Sequence, residues 1–380
     1  MMEAHAPARY AGPPSPASLA ARLGISLVDL CKLDANESPF GPPPAALAAL
    51  ATLAAPVWAG RYPDSTASSL RATLESATGV PAEQIVVGNG SDELIKLLVE
   101  VLVSPGDEVV VCEPTFGLYA LAAGRAGATV VDAGFADGFQ YDAARIITVM
   151  QPRTRIVFLC GPNNPTGGRL TRDVLEAVLQ RASELGRPGD APLVVLDEAY
   201  YEVGAFGGDP LAWTAVPLVR DGAHLVVLRT FSKLYGLAGL RVGHACCPPA
   251  LAARLMDRKM PYNVNSAGLV AAEAAIRDEE WLRERARILI DERDRVRQAL
   301  SVLPGLIVHP SAANFLLVET GAGMALPLWE RLLDQGIMVR RYGAGPLSHA
   351  LRVSIGTPAQ NDRLLVAMRT LCNEKPRRSR

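Results

Sequence analysis

From about residue 84 the chain alternates short apolar runs, rich in Val and Ile, with stretches of helical periodicity. Runs of strand length occur at 84–87, 107–112, 129–132, 155–159, 193–196 and 225–228, and helical stretches such as 93–103 and 171–185 lie between them. The runs are continuously apolar rather than alternating, which marks strands buried on both faces. Such strands interleaved with helices predict an α/β fold, a three-layer, mostly parallel sheet covered by helices. In that architecture functional residues gather at the carboxyl ends of the strands. After Pro261 the pattern changes. Residues 265–300 read as one long helix with a very charged middle, followed by short strand-like runs at 306–309, 314–318, 337–339 and 351–355. That mixture predicts a smaller α+β domain.

The first 40 residues are irregular and Pro-rich, with one helical stretch near 17–23. They read as an arm that joins the smaller domain. The Ala-rich run 45–55 predicts an amphipathic helix begun by Pro44 in its first turn. The expected division is therefore an arm over 1–44, a large domain over 45–260 and a small domain over 261–380. No internal repeat is visible.

Composition narrows the class. The chain has 380 residues, 49% of them hydrophobic and 20% charged, enough for one large core and a smaller one. A net charge of −1 offers no footprint for nucleic acid. Lys375 to Arg380 form a basic tail that reads as solvated. Six cysteines without CxxC spacing read as reduced residues of a cytoplasmic protein, and five scattered histidines suggest no metal site. Prolines break the N-terminus, so no signal-like apolar stretch is present there, and no window approaches the roughly 20 apolar residues of a membrane span.

The candidate chemistry sits at strand ends. Ser232-Lys233 follows the run 225–228, and Arg241 comes eight positions after the lysine. An ammonium resists leaving water, so a lysine delivered by a buried strand has a lowered pKa and can condense with an aldehyde. Ser232 and Arg241 would hold a phosphate, with the guanidinium fork matching its geometry. A surface lysine in a turn is the alternative. Gly90-Ser91-Asp92 opens a helix, where N–H groups and the helix dipole favour phosphate; an ordinary N-cap is the other reading. Gly161-Pro-Asn-Asn-Pro-Thr-Gly-Gly168 is a rigid loop in which Asn164 can donate to a phenolate oxygen. Asp197, at the end of 193–196, needs a cationic partner if buried, and a pyridinium nitrogen is one. Tyr200 can share the phenolate. Phe116 can stack on a flat ring or simply pack in the core. Arg352 can receive an acidic group of the substrate; a strand-edge arginine in a salt bridge is the alternative. Together these types suggest pyridoxal 5′-phosphate (PLP), which Asp197 would keep protonated at the ring nitrogen while Lys233 holds its aldehyde and later moves a proton.

The set Asn163-Asn-Pro-Thr-Gly167, Asp197-Glu-Ala-Tyr200 and Ser232-Lys-Leu-Tyr-Gly-Leu-Ala-Gly-Leu-Arg241, in that order, resembles the fold-type I PLP-dependent aminotransferases over nearly the whole chain. Leu33-Asp-Ala-Asn-Glu37, Arg61-Tyr-Pro-Asp64, Gly88-Asn-Gly-Ser-Asp-Glu93, Pro261-Tyr-Asn-Val-Asn265, Ser311-Ala-Ala-Asn-Phe315 and Leu351-Arg-Val-Ser-Ile-Gly356 narrow the resemblance to histidinol-phosphate aminotransferases. That resemblance implies Lys233, Asp197 and Tyr200 as catalytic residues. It places Gly90, Ser91, Asp92, Phe116, Asn164, Ser232, Arg241 and Tyr62 around the cofactor, Tyr62 reaching in from the second subunit of a homodimer. It further implies Tyr10, Asn36, Tyr62, Asn164 and Arg352 as substrate contacts. The family's partners would be a small-molecule amino donor and a 2-oxo acid, with histidinol phosphate and 2-oxoglutarate expected here. An aromatic amino-acid aminotransferase and a threonine-phosphate decarboxylase-like enzyme share the lysine loop. A PLP-sensing regulator would need an additional DNA-binding domain. Two departures stand out. Arg340-Arg341 replaces a position often acidic in the family, and Phe116 stands where Tyr is common.

Overall fold

The computed structural model describes residues 14–53, 60–186, 191–206, 209 and 212–373. Its strands are β1 (Cys31–Leu33), β2 (Ile85–Gly88), β3 (Glu108–Val111), β4 (Thr129–Asp132), β5 (Thr154–Cys160), β6 (Leu193–Asp197), β7 (Leu225–Thr230), β8 (Gly243–Cys246), β9 (Leu306–Val308), β10 (Phe315–Thr320), β11 (Ile337–Arg341) and β12 (Ala350–Ser354). Seven of them form one sheet in the order β2-β8-β7-β6-β5-β3-β4, parallel except for β8, which runs against both neighbours. Every residue of β3, β6 and β7 is buried, as continuous Val/Leu runs require when helices cover both faces. One apolar layer joins the sheet to helices Ser91–Leu102 and Pro249–Arg258, and the other joins it to helices Ser68–Thr78 and Arg172–Leu185.

The six strands expected in this sheet are present. The seventh, β8, was not expected. Its sequence Gly-His-Ala-Cys has no β-branched residue, and only its slot between β2 and β7 makes it a strand.

The remaining strands form a five-stranded sheet, β1-β11-β12-β10-β9, with β1 parallel to β11 and the rest antiparallel. The arm therefore enters the second sheet through β1. Helix Pro16–Leu23, capped by the Ser15 hydroxyl, packs beside it through Leu19 and Ala20. The Ala-rich helix runs Pro44–Thr52 with Pro44 in its first turn; residues 54 and 55 of the expected run lie outside the described residues.

The single helix expected over 265–300 is two. Ser266–Ile276, capped by the Asn265 side chain, packs with helices Pro44–Thr52 and Ser68–Thr78 on the seven-stranded sheet. Glu279–Ser301 packs on the five-stranded sheet. The axis breaks at Asp278, whose φ of −94° and ψ of 55° leave the helical region. No Gly or Pro occurs from Leu269 to Leu303, so nothing local announces the break. It exists because the two halves bury their apolar faces in different cores. The change of core thus falls near residue 278 rather than at Pro261.

Candidate active site

The carboxyl ends of β2, β5, β6 and β7 point the same way and carry Gly88, Cys160, Asp197 and Thr230. The loops that follow them bring the expected residues together against the arm segment 34–36 and the middle of the second sheet.

Lys233 follows β7. Its Nζ donates to the Ala35 carbonyl at 3.5 Å and stands 5.3 Å from the centre of the Tyr200 ring. Burial, then the positive charge of Arg352, hold its pKa down to about 8. Asp197 ends β6 and is 3% exposed. It accepts hydrogen bonds from the Tyr119 hydroxyl at 2.7 Å and the Ala199 N–H at 3.0 Å. Burial pushes its carboxyl up to about 6 despite these donors. A buried carboxylate so held, with the Lys233 ammonium offsetting little of the burial, suits a cation supplied from outside the chain.

Asn164 and Tyr200 face the same space. Asn164 Oδ1 accepts from Arg352 at 2.6 Å, so its amide nitrogen is left to donate. The Tyr200 hydroxyl accepts from Asn36 Nδ2 at 3.1 Å, so its own proton is also free to donate. Both groups thus keep a donor to offer. Asn36 has a φ of 56°, and its strain is held by Ser354, which receives the Asn36 N–H and donates to Oδ1, both at 2.8 Å, and by Asn314 on its carbonyl.

Arg352 corrects one alternative. It lies on β12, an interior strand paired with β11 and β10, and is 9% exposed. Its partners are Asn164 and the Asp34 carbonyl, 2.7 Å from Nη2, and not a carboxylate. Its Nε is buried without a partner. An orphaned guanidinium nitrogen next to two displaceable neutral acceptors can receive a carboxylate or phosphate.

The helix start at Gly90 is equally specific. Helix Ser91–Leu102 starts at Gly90 with no side-chain cap, leaving first-turn N–H groups available for an anion. Gly90 has a φ of 78°, and a Cβ there would lie 2.5 Å from Arg241 Nη2. Arg241, itself at φ 55°, donates to the Ser232 hydroxyl at 3.4 Å and pairs with Asp92 at 3.0 Å. The Asp92 carboxylate therefore aims Arg241, and only its backbone N–H can serve an anion. Phe116 packs edge-on against Tyr119, ring centroids 5.6 Å apart. Tyr62 stands apart, 82% exposed and stacked on Tyr262 at 4.7 Å. Tyr10 lies outside the described residues.

These features fit PLP: an uncapped helix start for the phosphate, two donors for the phenolate, a buried acid for the ring nitrogen and an amine for the aldehyde. Four contributors were not foreseen. Tyr119 carried no signal beyond its place three residues after Phe116, and Ser354 and Asn314 read as strand residues. The fourth is the buried pair next to Asp197. Glu198 accepts from Arg229 Nε and Nη2, both at 3.0 Å, from the Thr214 hydroxyl and from the Ala215 N–H. Glu198→Ala is expected to cost about 3–5 kcal/mol in urea unfolding, because it strands Arg229 in the interior.

Residues 28–368 match the family described as aminotransferase class I and II. A histidinol-phosphate aminotransferase of Roseiflexus castenholzii is 42% identical over 356 residues, 92% of this chain and 91% of that one. A chloroplastic histidinol-phosphate aminotransferase of Nicotiana plumbaginifolia is 38% identical over 92% of this chain and 81% of its own. The crystal structure of the Sinorhizobium meliloti histidinol-phosphate aminotransferase in complex with PLP superposes with a TM-score of 0.84 at 28% identity, covering 98% of this chain and 99% of that one. With its lysine, aspartate and arginine converging as they do, this chain belongs to the class I and II aminotransferases, in the family of the histidinol-phosphate aminotransferases.

Proposed function

We propose that the chain transfers the amino group of L-histidinol phosphate to 2-oxoglutarate, giving imidazole acetol phosphate and L-glutamate by a ping-pong cycle with PLP. When bound, PLP supplies an aldehyde and an electron-withdrawing ring. Asp197 would keep the ring nitrogen protonated, and Asn164 and Tyr200 would hold the ring oxygen. Phe116 would flank the ring, and Ser91, Ser232, Arg241 and the Gly90 turn would hold the phosphate. Lys233, already depressed toward neutrality, would accept the proton from the substrate Cα and return it one carbon away. One amine serves both positions only if it is held within reach of both.

The observation that carries the substrate reading is Arg352 itself, buried on β12 with neutral acceptors on two of its nitrogens and an unpartnered Nε. A dianionic phosphate, or a carboxylate of a dicarboxylic acid, would satisfy that guanidinium, whereas a neutral aromatic side chain would not. Arg352 would then serve the substrate phosphate in one half-reaction and the α-carboxylate of glutamate in the other, with Arg340, opposite it on β11, adding field, while Arg341 faces the other side of the sheet against Trp329. Asn36 and Tyr10 would close the site from the arm, and Tyr62 would come from the second subunit of a homodimer. Among the described residues no helix is long and apolar enough to cross a membrane, and a cytoplasmic enzyme is the reading we adopt.

The test is turnover of histidinol phosphate against phenylalanine with 2-oxoglutarate, with carbon dioxide release from threonine phosphate measured alongside. Preference for histidinol phosphate is expected. Arg352→Gln should raise KM for histidinol phosphate by about 30-fold or more, the loss of a charge-assisted bidentate contact. Preference for phenylalanine, or release of carbon dioxide, overturns the substrate assignment.

A further inference from the structure

Tyr119 is fully buried beside the two groups that would meet the cofactor ring. It belongs to helix Leu118–Arg125 and stacks face to face on Phe158, centroids 4.7 Å apart and planes 6° from parallel. Its edge meets Phe116 at 84°. Its hydroxyl donates to Asp197 Oδ2 at 2.7 Å. One side chain therefore touches both the acid and the flanking ring, and two aromatic contacts set its own orientation.

We propose that Tyr119 is a positioning residue of this site, whose hydroxyl aims Asp197 and keeps it an anion for the ring nitrogen. The inference rests on reading the site as a PLP site. Burial alone would drive a proton onto Asp197, and two donors oppose this: the Ala199 N–H and the Tyr119 hydroxyl. The titratable groups that sense Asp197 are Tyr119, Tyr141, Cys160, Tyr200, Glu202, Asp92 and Lys233. Among the described residues Tyr119 is the side chain that hydrogen-bonds its carboxylate. Burial and the nearby Asp197 charge push the Tyr119 phenol far above its ordinary range, so it stays a donor at every working pH. A bond of this kind favours the charged acceptor. Without it, the acid would hold its proton to higher pH and meet the ring nitrogen as a neutral group.

Tyr119→Phe keeps the ring stack and removes only the hydroxyl, so the two roles separate. Two readouts are needed. In cofactor-free protein the Asp197 carboxylate ¹³C resonance, identified by its loss in Asp197→Asn, should titrate about one unit or more higher in Tyr119→Phe than in the wild type. PLP binding to cofactor-free protein, followed from about pH 5 to about pH 9, should be about tenfold or more weaker near neutrality and recover as the pH rises. Phe158→Leu disturbs the stack but keeps the hydroxyl, and should change affinity by a similar factor at all pH values. A PLP-binding wild type with an unmoved resonance in Tyr119→Phe, or a loss equal at every pH, overturns the role of Tyr119. A wild type that binds no PLP overturns the cofactor reading, whichever way the resonance moves.

Discussion

Replacing Lys233 with alanine is expected to lower turnover by at least about 10⁴-fold, with the fold intact by circular dichroism. Lys233 is half-buried, and its Nζ makes one long hydrogen bond, 3.5 Å to Ala35, so few contacts are lost with it. The chemical loss is large because no second amine stands beside the Tyr200 ring among the described residues. A small exogenous amine should restore part of the rate, since it can replace the base but not its placement. Borohydride treatment of the PLP-loaded wild type should fix the cofactor on residue 233. The pKa near 8 adds a second check on cofactor-free protein. An ordinary lysine is half neutral near 10.5, so at pH 7 Lys233 carries about 300 times more free amine. Formaldehyde with a mild reductant should methylate it with a midpoint near 8. Full turnover in Lys233→Ala removes the proposed chemistry, and a labelling midpoint near 10.5 removes the tuned amine.

Asp197→Asn should lower kcat between about 10²- and 10⁴-fold and weaken PLP binding, while KM for the 2-oxo acid changes little. The magnitude follows from breaking a buried ion pair, about 3–5 kcal/mol, converted to rate. The split follows from the proposed roles, because Asp197 is held by Tyr119 at the end of β6 whereas Arg352 is held by Asp34 of the arm and lies on β12. The amide keeps the size of the acid and one acceptor oxygen, so it can still accept from either Tyr119 or Ala199, and lost packing cannot account for the effect. An Asp197→Asn enzyme with wild-type kcat would show that the charge is unnecessary.

Much of the site was legible because its chemistry is local. The lysine loop, the Asn163–Gly167 loop and the Asp197–Tyr200 run each carry several constrained residues within a few positions, and each follows a readable strand. The helix start at Gly90 was legible for the same reason. Arg352 was harder. Its residue type left an edge salt bridge open, and only pairing on both sides of β12 shows it buried with an unpartnered Nε. Tyr119 was invisible, because a tyrosine in an apolar helix reads as core until its hydroxyl is seen against Asp197, 78 residues away.

Local patterning determined the α/β class, six of the seven strands of the large sheet, the loops bearing the amine and the acid, and the helix start at Gly90. These depend on runs of apolar side chains and on backbone constraints that act within about ten residues. Only the tertiary structure decided that 243–246 is a strand, that the chain breaks at Asp278 to serve two cores, and that arm residues 34–36 lie between Lys233 and Arg352. Each of these is settled by which surfaces remain to be buried once the sheets have formed, and sequence spacing does not encode that remainder.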